Sequence, residues 1–206
     1  MQDTRLIFGL GSGRCGTTSL ANLLNGMPEV VCFHECNAMG MAWSGGDHAV
    51  HSVLTDFETV LAGGVRGISV DLGAYHRLHG TDPLQRLKSL ERVRIIGDVA
   101  SYYLPYVDLI LDRAPNAVLP CLRRARQDTI ASFVEKVTVG LPRARRRGRF
   151  SLGKPKANRP RQRNHWVDHD GCKWVVAPRY DNCFPHYEPG LSLEAAIGRY
   201  YDEYYE

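Results

Sequence analysis

A strand, a glycine-rich loop and a helix follow one another near the start of the chain, and this succession constrains the fold more than any other feature. The apolar run from Arg5 to Leu10 predicts a short buried strand, and Thr17 to Leu24 predicts a helix with its leucines on one face. Between them lies the stretch LGSGRCG, from Leu10 to Gly16. A loop of this kind before a helix N-terminus offers backbone N–H groups to phosphate oxygens. We therefore expect an α/β protein with a phosphate site at residues 11–19.

Further apolar and amphipathic patterns alternate along the chain. The predicted strands are 30–33, 68–70, 93–96, 117–122 and 174–176, and the predicted helices are 84–90, 102–114, 128–137 and 192–206. Pro120 weakens the fourth of these strands because proline donates no backbone hydrogen bond. The residues after Phe33 look irregular and are rich in Gly and His. Alternating strands and helices predict a parallel sheet flanked by helices, and 206 residues suit a single domain.

The last predicted helix carries a stripe of apolar and aromatic side chains. Its members recur at helical spacing and are Ile197, Tyr200, Tyr201, Tyr204 and Tyr205. We expect these side chains to pack in the core rather than to bind a ligand.

The cysteines and the N-terminal residues predict a reduced, cytoplasmic protein without a bound metal. The six cysteines are scattered, no C-x-x-C pair occurs, and the opening MQDTRLIFGL is too short and too acidic for a secretory signal. No apolar run reaches the roughly 18 residues of a membrane-spanning helix. Cys32, His34 and Cys36 alternate along an apparent strand, so we expect no zinc site there.

Positive charge is concentrated in one segment, residues 141–167. It holds ten of the 26 lysine and arginine residues and none of the 22 acidic ones. Its prolines and glycines argue against regular structure and predict a solvated loop inserted in the domain. The same charge would also suit a clamp for an anionic partner, such as a nucleotide, a sulfated or carboxylated acceptor, or a nucleic acid.

Two general nucleotide-binding patterns overlap in the glycine loop. Gly11, Gly13 and Gly16 fit G-x-G-x-x-G, the dinucleotide pattern, and Glu35 lies near the distance expected of a ribose-binding acid. Gly11 and Gly16 also have the Walker A spacing, but Thr17 occupies the position of its lysine. An NAD(P)-binding oxidoreductase therefore stays open, whereas a kinase or nucleoside triphosphatase is disfavoured.

The Walker spacing without its lysine, and with Arg14 ahead of Cys-Gly-Thr-Thr, resembles the 5′-phosphosulfate loop of the sulfotransferases. The resemblance implies a P-loop-like parallel sheet, and 3′-phosphoadenosine 5′-phosphosulfate as co-substrate without a metal. It implies that Arg14 contacts the leaving phosphate. The other loop residues that it implies at the cofactor are Gly11, Ser12, Gly13, Cys15, Gly16, Thr17, Thr18 and Ser19.

A second signature of the same family lies in LRRARQDTIAS, residues 122–132. In the family, an arginine at a strand end and a serine eight residues later hold the 3′-phosphate, which corresponds to Arg124 and Ser132 here. Arg123 is the alternative if the strand register shifts by one residue. The family's basic loop near the C-terminus has no counterpart after Ser192, so we expect a C-terminal part that is truncated or replaced by the basic segment.

Sulfuryl transfer requires a base at the carboxyl edge of the sheet, beside the loop. Glu35 and Asp98 are carboxylates that follow predicted strands there, and His34 is a third candidate. Glu35 aligns without a gap with the catalytic glutamate of the tyrosylprotein sulfotransferase pattern. Asp98 resembles the base of the heparan-type N-deacetylase/sulfotransferases, although Val99 replaces the lysine of that motif. The other interpretation of Asp98 is a helix cap for residues 100–103.

The sequence does not identify the acceptor. A small molecule, a glycan or a peptide would each supply the hydroxyl, and nucleic acid is the less favoured partner. Besides the oxidoreductase, a non-catalytic module that binds a nucleotide or a nucleic acid stays open as an alternative to the enzyme.

Overall fold

Three parallel strands form the centre of the fold. The structure is a computed structural model that describes residues 4–36, 47–64, 67–68, 82–140 and 191–206. The strands are β1 (Arg5–Gly9), β2 (Val30–His34) and β3 (Ile95–Val99). Strand β3 lies between the other two, and both pairings are parallel, so all three carboxyl ends meet at one edge. The predicted parallel sheet is confirmed, although β3 begins and ends later than its apolar run indicates.

A fourth segment, residues 117–122, runs beside β1 on the side away from β3. It forms isolated parallel bridges at Ile7–Val118 and Leu10–Cys121 rather than a continuous strand. Pro120 takes part only as an acceptor, from Leu10 N–H at 2.8 Å, in keeping with its missing N–H group. The segment brings the arginines that follow it to the carboxyl edge of the sheet.

Helices flank the sheet. In the described part of the chain they are α1 (Thr17–Asn25), α2 (Asp47–Leu61), α3 (Pro83–Ser89), a 3₁₀ helix (Ser101–Tyr106), α4 (Val107–Arg113), α5 (Arg126–Gly140) and α6 (Leu193–Tyr205). Ser192 caps α6 by accepting from Ala195 N–H at 3.2 Å. None of these described helices is both long enough and apolar enough to cross a membrane. The mixed α/β fold is therefore as expected.

Helix α2 shows that the prediction of an irregular segment after Phe33 is wrong over residues 47–61. Its buried residues recur at three- and four-residue spacing and are Ala49, Val50, Val53, Leu54, Phe57 and Val60. The predicted strands at 68–70 and 174–176 and the basic segment at 141–167 lie outside the described residues, apart from Ile68, which is not in a strand.

The two faces of the sheet pack against different helices. Phe8 and Phe33 share one face, where their rings stack on Phe57 of α2 with centroids 5.9 and 6.0 Å away. Val99 lies on the other face, in a cluster with residues of α1. Asp98 is level with Phe8 and Phe33 in the strand register, so its side chain belongs to the α2 face.

Candidate anion-binding site

The glycine loop passes from β1 into α1 through residues in the left-handed backbone region. Gly13 and Gly16 have φ values of 86° and 105°, and Arg14 between them has a φ of 57°. Glycine adopts this region readily, whereas arginine does so seldom. A Cβ atom at Gly13 would also lie 3.1 Å from the ring of Phe133, so the loop packs closely on α5. The path of the backbone therefore explains the spacing of these two glycines.

A row of backbone N–H groups lies at the N-terminus of α1. Gly16 is the N-cap residue and supplies no side-chain cap. Within the described residues, the amides of residues 13–19 donate no hydrogen bond. The first amide of the helix that does so is Leu20 N–H, which donates to Gly16 C=O at 3.0 Å. The helix dipole adds partial positive charge at the same place. These donors suit a phosphate or sulfate group.

The first two amides of the loop are held by α6. Gly11 N–H donates to the Tyr204 hydroxyl at 2.9 Å, and Ser12 N–H donates to the Tyr205 hydroxyl at 3.2 Å. Tyr205 donates in turn to the Leu122 carbonyl at 2.5 Å. Burial raises the pKa of Tyr205 to about 12 and raises the pKa of Tyr204 as well, so both hydroxyls keep their protons at neutral pH. The predicted packing of the tyrosine stripe is confirmed, but its bonds to the loop are a feature that the sequence analysis missed.

The second signature meets the loop at Arg14. Arg14 Nε donates to Ser132 Oγ at 3.0 Å, across 118 residues of sequence. Arg124 Nη1 donates to the Arg14 carbonyl at 3.4 Å, and its Nε lies 3.7 Å from Asp128 Oδ2 in an exposed ion pair. Two guanidinium groups and a serine hydroxyl therefore gather beside the open amides.

Arg123, the alternative to Arg124, faces α6 instead. Its Nε donates to the Tyr201 hydroxyl at 3.2 Å, and its guanidinium lies 5.8 and 5.4 Å from the ring centroids of Tyr201 and Tyr205. The Tyr201 hydroxyl also donates to the Arg124 carbonyl at 2.6 Å. Arg123 thus connects this segment to α6, and the arginine beside the loop is Arg124.

His34 and Glu35 follow each other at the carboxyl end of β2. His34 is 5% exposed, and its Nε2 lies 3.1 Å from Thr17 Oγ1 and 3.3 Å from Thr18 Oγ1. Glu35 is half-buried, has a φ of 54°, and its N–H donates to the Val99 carbonyl at 3.2 Å. Glu35, one of the candidate bases, therefore directly follows the residue whose side chain contacts the hydroxyls of Thr17 and Thr18.

Asp98 lies in the core and is 0% exposed. Its Oδ2 accepts hydrogen bonds from Cys36 N–H at 3.0 Å, the Tyr102 hydroxyl at 3.1 Å and the Tyr103 hydroxyl at 2.7 Å. Burial raises the pKa of Asp98 to about 6, although these three bonds oppose the shift. A wholly buried carboxylate on the α2 face is poorly placed to receive a proton beside the loop. The helix-cap prediction is wrong, because the 3₁₀ helix begins after Ala100 without a side-chain cap.

The described residues offer no arrangement for a metal ion. Among them, no group of three or more His, Cys, Asp or Glu side chains is placed to hold one. Cys32 and Cys36 are buried, and burial together with the charge of Asp98 raises the pKa of both thiols. Since cysteine binds metals as a thiolate, these two side chains are poorly prepared for that role.

No protein-family model matches this chain, and a search among curated proteins finds no match. Its function is therefore inferred from the chemistry of the site. That chemistry consists of a helix N-terminus with open amides, two arginines and a serine beside it, and a histidine and a glutamate at the adjoining edge of the sheet.

Proposed function

We propose that this protein is a sulfotransferase that transfers the sulfuryl group of 3′-phosphoadenosine 5′-phosphosulfate to a hydroxyl or amine of a small molecule, glycan or peptide. One observation carries the proposal. The Arg14 side chain donates a hydrogen bond to Ser132 Oγ at 3.0 Å, and the Arg14 carbonyl accepts one from the Arg124 side chain at 3.4 Å. The glycine loop and the segment 122–132 thus meet beside the open helix N-terminus. In the sulfotransferases, the corresponding motifs bind different phosphates of one nucleotide. A nucleotide with both a 5′- and a 3′-phosphate fits this pair of sites.

The proposed reaction is an in-line displacement at sulfur. The acceptor oxygen or nitrogen forms a bond to sulfur, the bond from sulfur to the 5′-phosphate oxygen breaks, and the acceptor proton passes to Glu35. The negative charge that develops on the leaving phosphate is stabilised by the amides of residues 13–19 and by Arg14. Arg14 and Glu35 are two of the three non-glycine residues with positive φ in the described part of the chain. Strained backbone of this kind is concentrated at functional sites, which supports both roles.

The strand order favours this proposal over a dinucleotide-binding oxidoreductase. In the dinucleotide fold, β1 lies next to β2 in the order 3-2-1-4. Here β3 separates β1 from β2, and the segment 117–122 runs on the other side of β1. A Mg²⁺-dependent nucleoside triphosphatase is also less well supported. Thr17 replaces the Walker lysine, and Asp98, the acid nearest a Walker B position, is buried on the α2 face.

Ligand binding tests the proposal directly. Adenosine 3′,5′-bisphosphate should raise the melting temperature, by an amount that corresponds to about 2.7 kcal/mol at one hundred times its Kd. NAD(P)H and Mg-ATP should not raise it, since neither carries a phosphate at the 3′ position of its adenosine. An oligonucleotide should not raise it either, since its internal phosphates are diesters that are joined to neighbouring nucleotides. A thermal-shift series with the four ligands makes the comparison. Stabilisation by NAD(P)H alone would favour the oxidoreductase, and stabilisation by the oligonucleotide alone would favour a binding module.

The second signature has its own prediction. Arg124→Ala should weaken binding of adenosine 3′,5′-bisphosphate by about one to two orders of magnitude, because it removes a charge-assisted hydrogen bond to the 3′-phosphate. Binding of adenosine 5′-monophosphate, which lacks that phosphate, should barely change. Titration calorimetry with both nucleotides measures the difference.

Arg123→Ala is the matched control, since Arg123 is the neighbouring arginine and faces α6. Any loss of affinity in Arg123→Ala should be equal for the two nucleotides, so this variant should keep the wild-type preference for the bisphosphate. Equal losses for both nucleotides in Arg124→Ala would mean that Arg124 supports the fold or contacts the adenosine, and would remove the assignment of a 3′-phosphate site.

A further inference from the structure

One buried side chain touches both threonine hydroxyls of the loop. His34 ends β2, is 5% exposed, and has its Nε2 within 3.1 Å of Thr17 Oγ1 and 3.3 Å of Thr18 Oγ1. Thr17 and Thr18 are the first two residues of α1, where the amides of the same residues have no acceptor among the described residues. The histidine therefore contacts the two hydroxyls that lie beside the open amides, where a phosphate would bind.

The protonation of Nε2 decides which way these hydroxyls can donate. A threonine hydroxyl has a single proton, so a hydroxyl that donates to an Nε2 lone pair has no proton for an anion. When Nε2 carries a proton, it donates to the threonine oxygens, and both hydroxyl protons become available to phosphate oxygens. The single Nε2–H proton goes to one threonine oxygen or is shared between the two, and in neither case does Nε2 take up a hydroxyl proton.

We infer that His34 is a positioning residue, which uses its Nε2–H group to orient the hydroxyls of Thr17 and Thr18 toward a phosphate bound at the loop. This role replaces the general-base role considered for His34, because its Nε2 contacts the hydroxyls of Thr17 and Thr18. The inference rests on one part of the proposed function, namely that a phosphate binds at the loop. It holds for any ligand that places one there.

A double-mutant cycle on the full chain tests this role. His34→Ala should weaken binding of adenosine 3′,5′-bisphosphate by about tenfold, the effect of impairing one or two hydrogen bonds to an anion. In a Thr17→Val/Thr18→Val background, His34→Ala should cause almost no further loss, because the hydroxyls through which it acts are absent. His34→Gln, whose amide N–H can donate from a similar position, should recover part of the affinity.

A residue that merely supports the fold would give a different result. Its loss would weaken binding by the same factor with and without the two hydroxyls, and such additive losses would overturn the inference. Histidine ¹⁵N NMR of the wild-type protein measures directly whether Nε2 carries a proton. The His34→Gln variant is used only to assign the signal. We expect a protonated Nε2 in the ligand-bound protein, and an unprotonated Nε2 there would also overturn the inference.

Inorganic pyrophosphate separates this inference from the proposed function. If pyrophosphate binds and obeys the cycle while adenosine 3′,5′-bisphosphate does not bind, the role of His34 holds and the sulfotransferase proposal fails. If adenosine 3′,5′-bisphosphate binds and the losses are additive, the sulfotransferase proposal holds and the role of His34 fails. If neither compound binds the wild-type protein, both are wrong.

Discussion

Replacing Glu35 by glutamine should slow sulfuryl transfer by about two to four orders of magnitude, which is the usual contribution of a positioned general base. Glutamine keeps the length and shape of glutamate but does not take up the proton of the acceptor. The left-handed backbone at this position, with a φ of 54°, is no harder for glutamine to adopt than for glutamate. Affinity for adenosine 3′,5′-bisphosphate should therefore stay nearly unchanged. The rate is measured by chromatography of the adenosine 3′,5′-bisphosphate that is released from 3′-phosphoadenosine 5′-phosphosulfate. Phenol, sugar and peptide acceptors are each supplied in turn.

Glu29→Gln is the matched control for this experiment. Glu29 is also a glutamate with a left-handed backbone, at a φ of 57°, and it lies on the surface, 3.8 Å from Arg94. Its replacement should leave both rate and affinity at the wild-type level. An unchanged rate in Glu35→Gln would exclude Glu35 as the base. A loss of affinity as large as the loss of rate would indicate instead that Glu35 shapes the loop.

The apolar pattern predicts β1, β2, α1 and α6 to within about one residue at each end, since each is a short segment with a glycine, proline or capping residue close to at least one end. Strand β3 is predicted less well because Gly97 and Asp98 interrupt its apolar run. A side chain at Gly97 would clash with the Ile7 carbonyl oxygen of the neighbouring strand. The requirement for glycine thus comes from a neighbouring strand about ninety residues earlier in the chain, and the local sequence pattern does not reveal it.

The two anion-binding motifs could be recognised from local spacing, whereas the contacts that hold them could not. Tyr204 and Tyr205 bond to Gly11 and Ser12, which lie 193 residues earlier in the chain. An aromatic stripe predicts burial, but the partner of each hydroxyl depends on the tertiary arrangement. One signal was present. A buried tyrosine hydroxyl needs a polar partner, so a stripe of tyrosines, where leucine or phenylalanine would pack as well, indicates polar groups beneath the helix.

Replacing Asp98 by asparagine should remove a pH dependence of about 3 kcal/mol from the free energy of unfolding. Burial raises the pKa of Asp98 from 3.8 to about 6 in the folded protein, and each pKa unit corresponds to about 1.4 kcal/mol. The folded state therefore holds this proton more tightly than the unfolded state does. The contribution to stability is complete below about pH 4 and is lost as the pH rises through 6. Asparagine does not titrate, so the variant should gain about 3 kcal/mol relative to the wild type over this range.

Urea unfolding of both proteins at a series of pH values measures this difference. The slope against pH is the informative quantity, because asparagine also changes the hydrogen bonds of the cluster. Oδ1 of Asp98 is buried without a partner among the described residues, and an amide N–H group in its place would lower the stability of the variant by the same amount at every pH. Asp112→Asn, at an exposed position on α4, is the control and should follow the wild-type curve. Parallel curves for Asp98→Asn and the wild type would mean that the bonds from Cys36, Tyr102 and Tyr103 fully compensate the burial of the carboxylate.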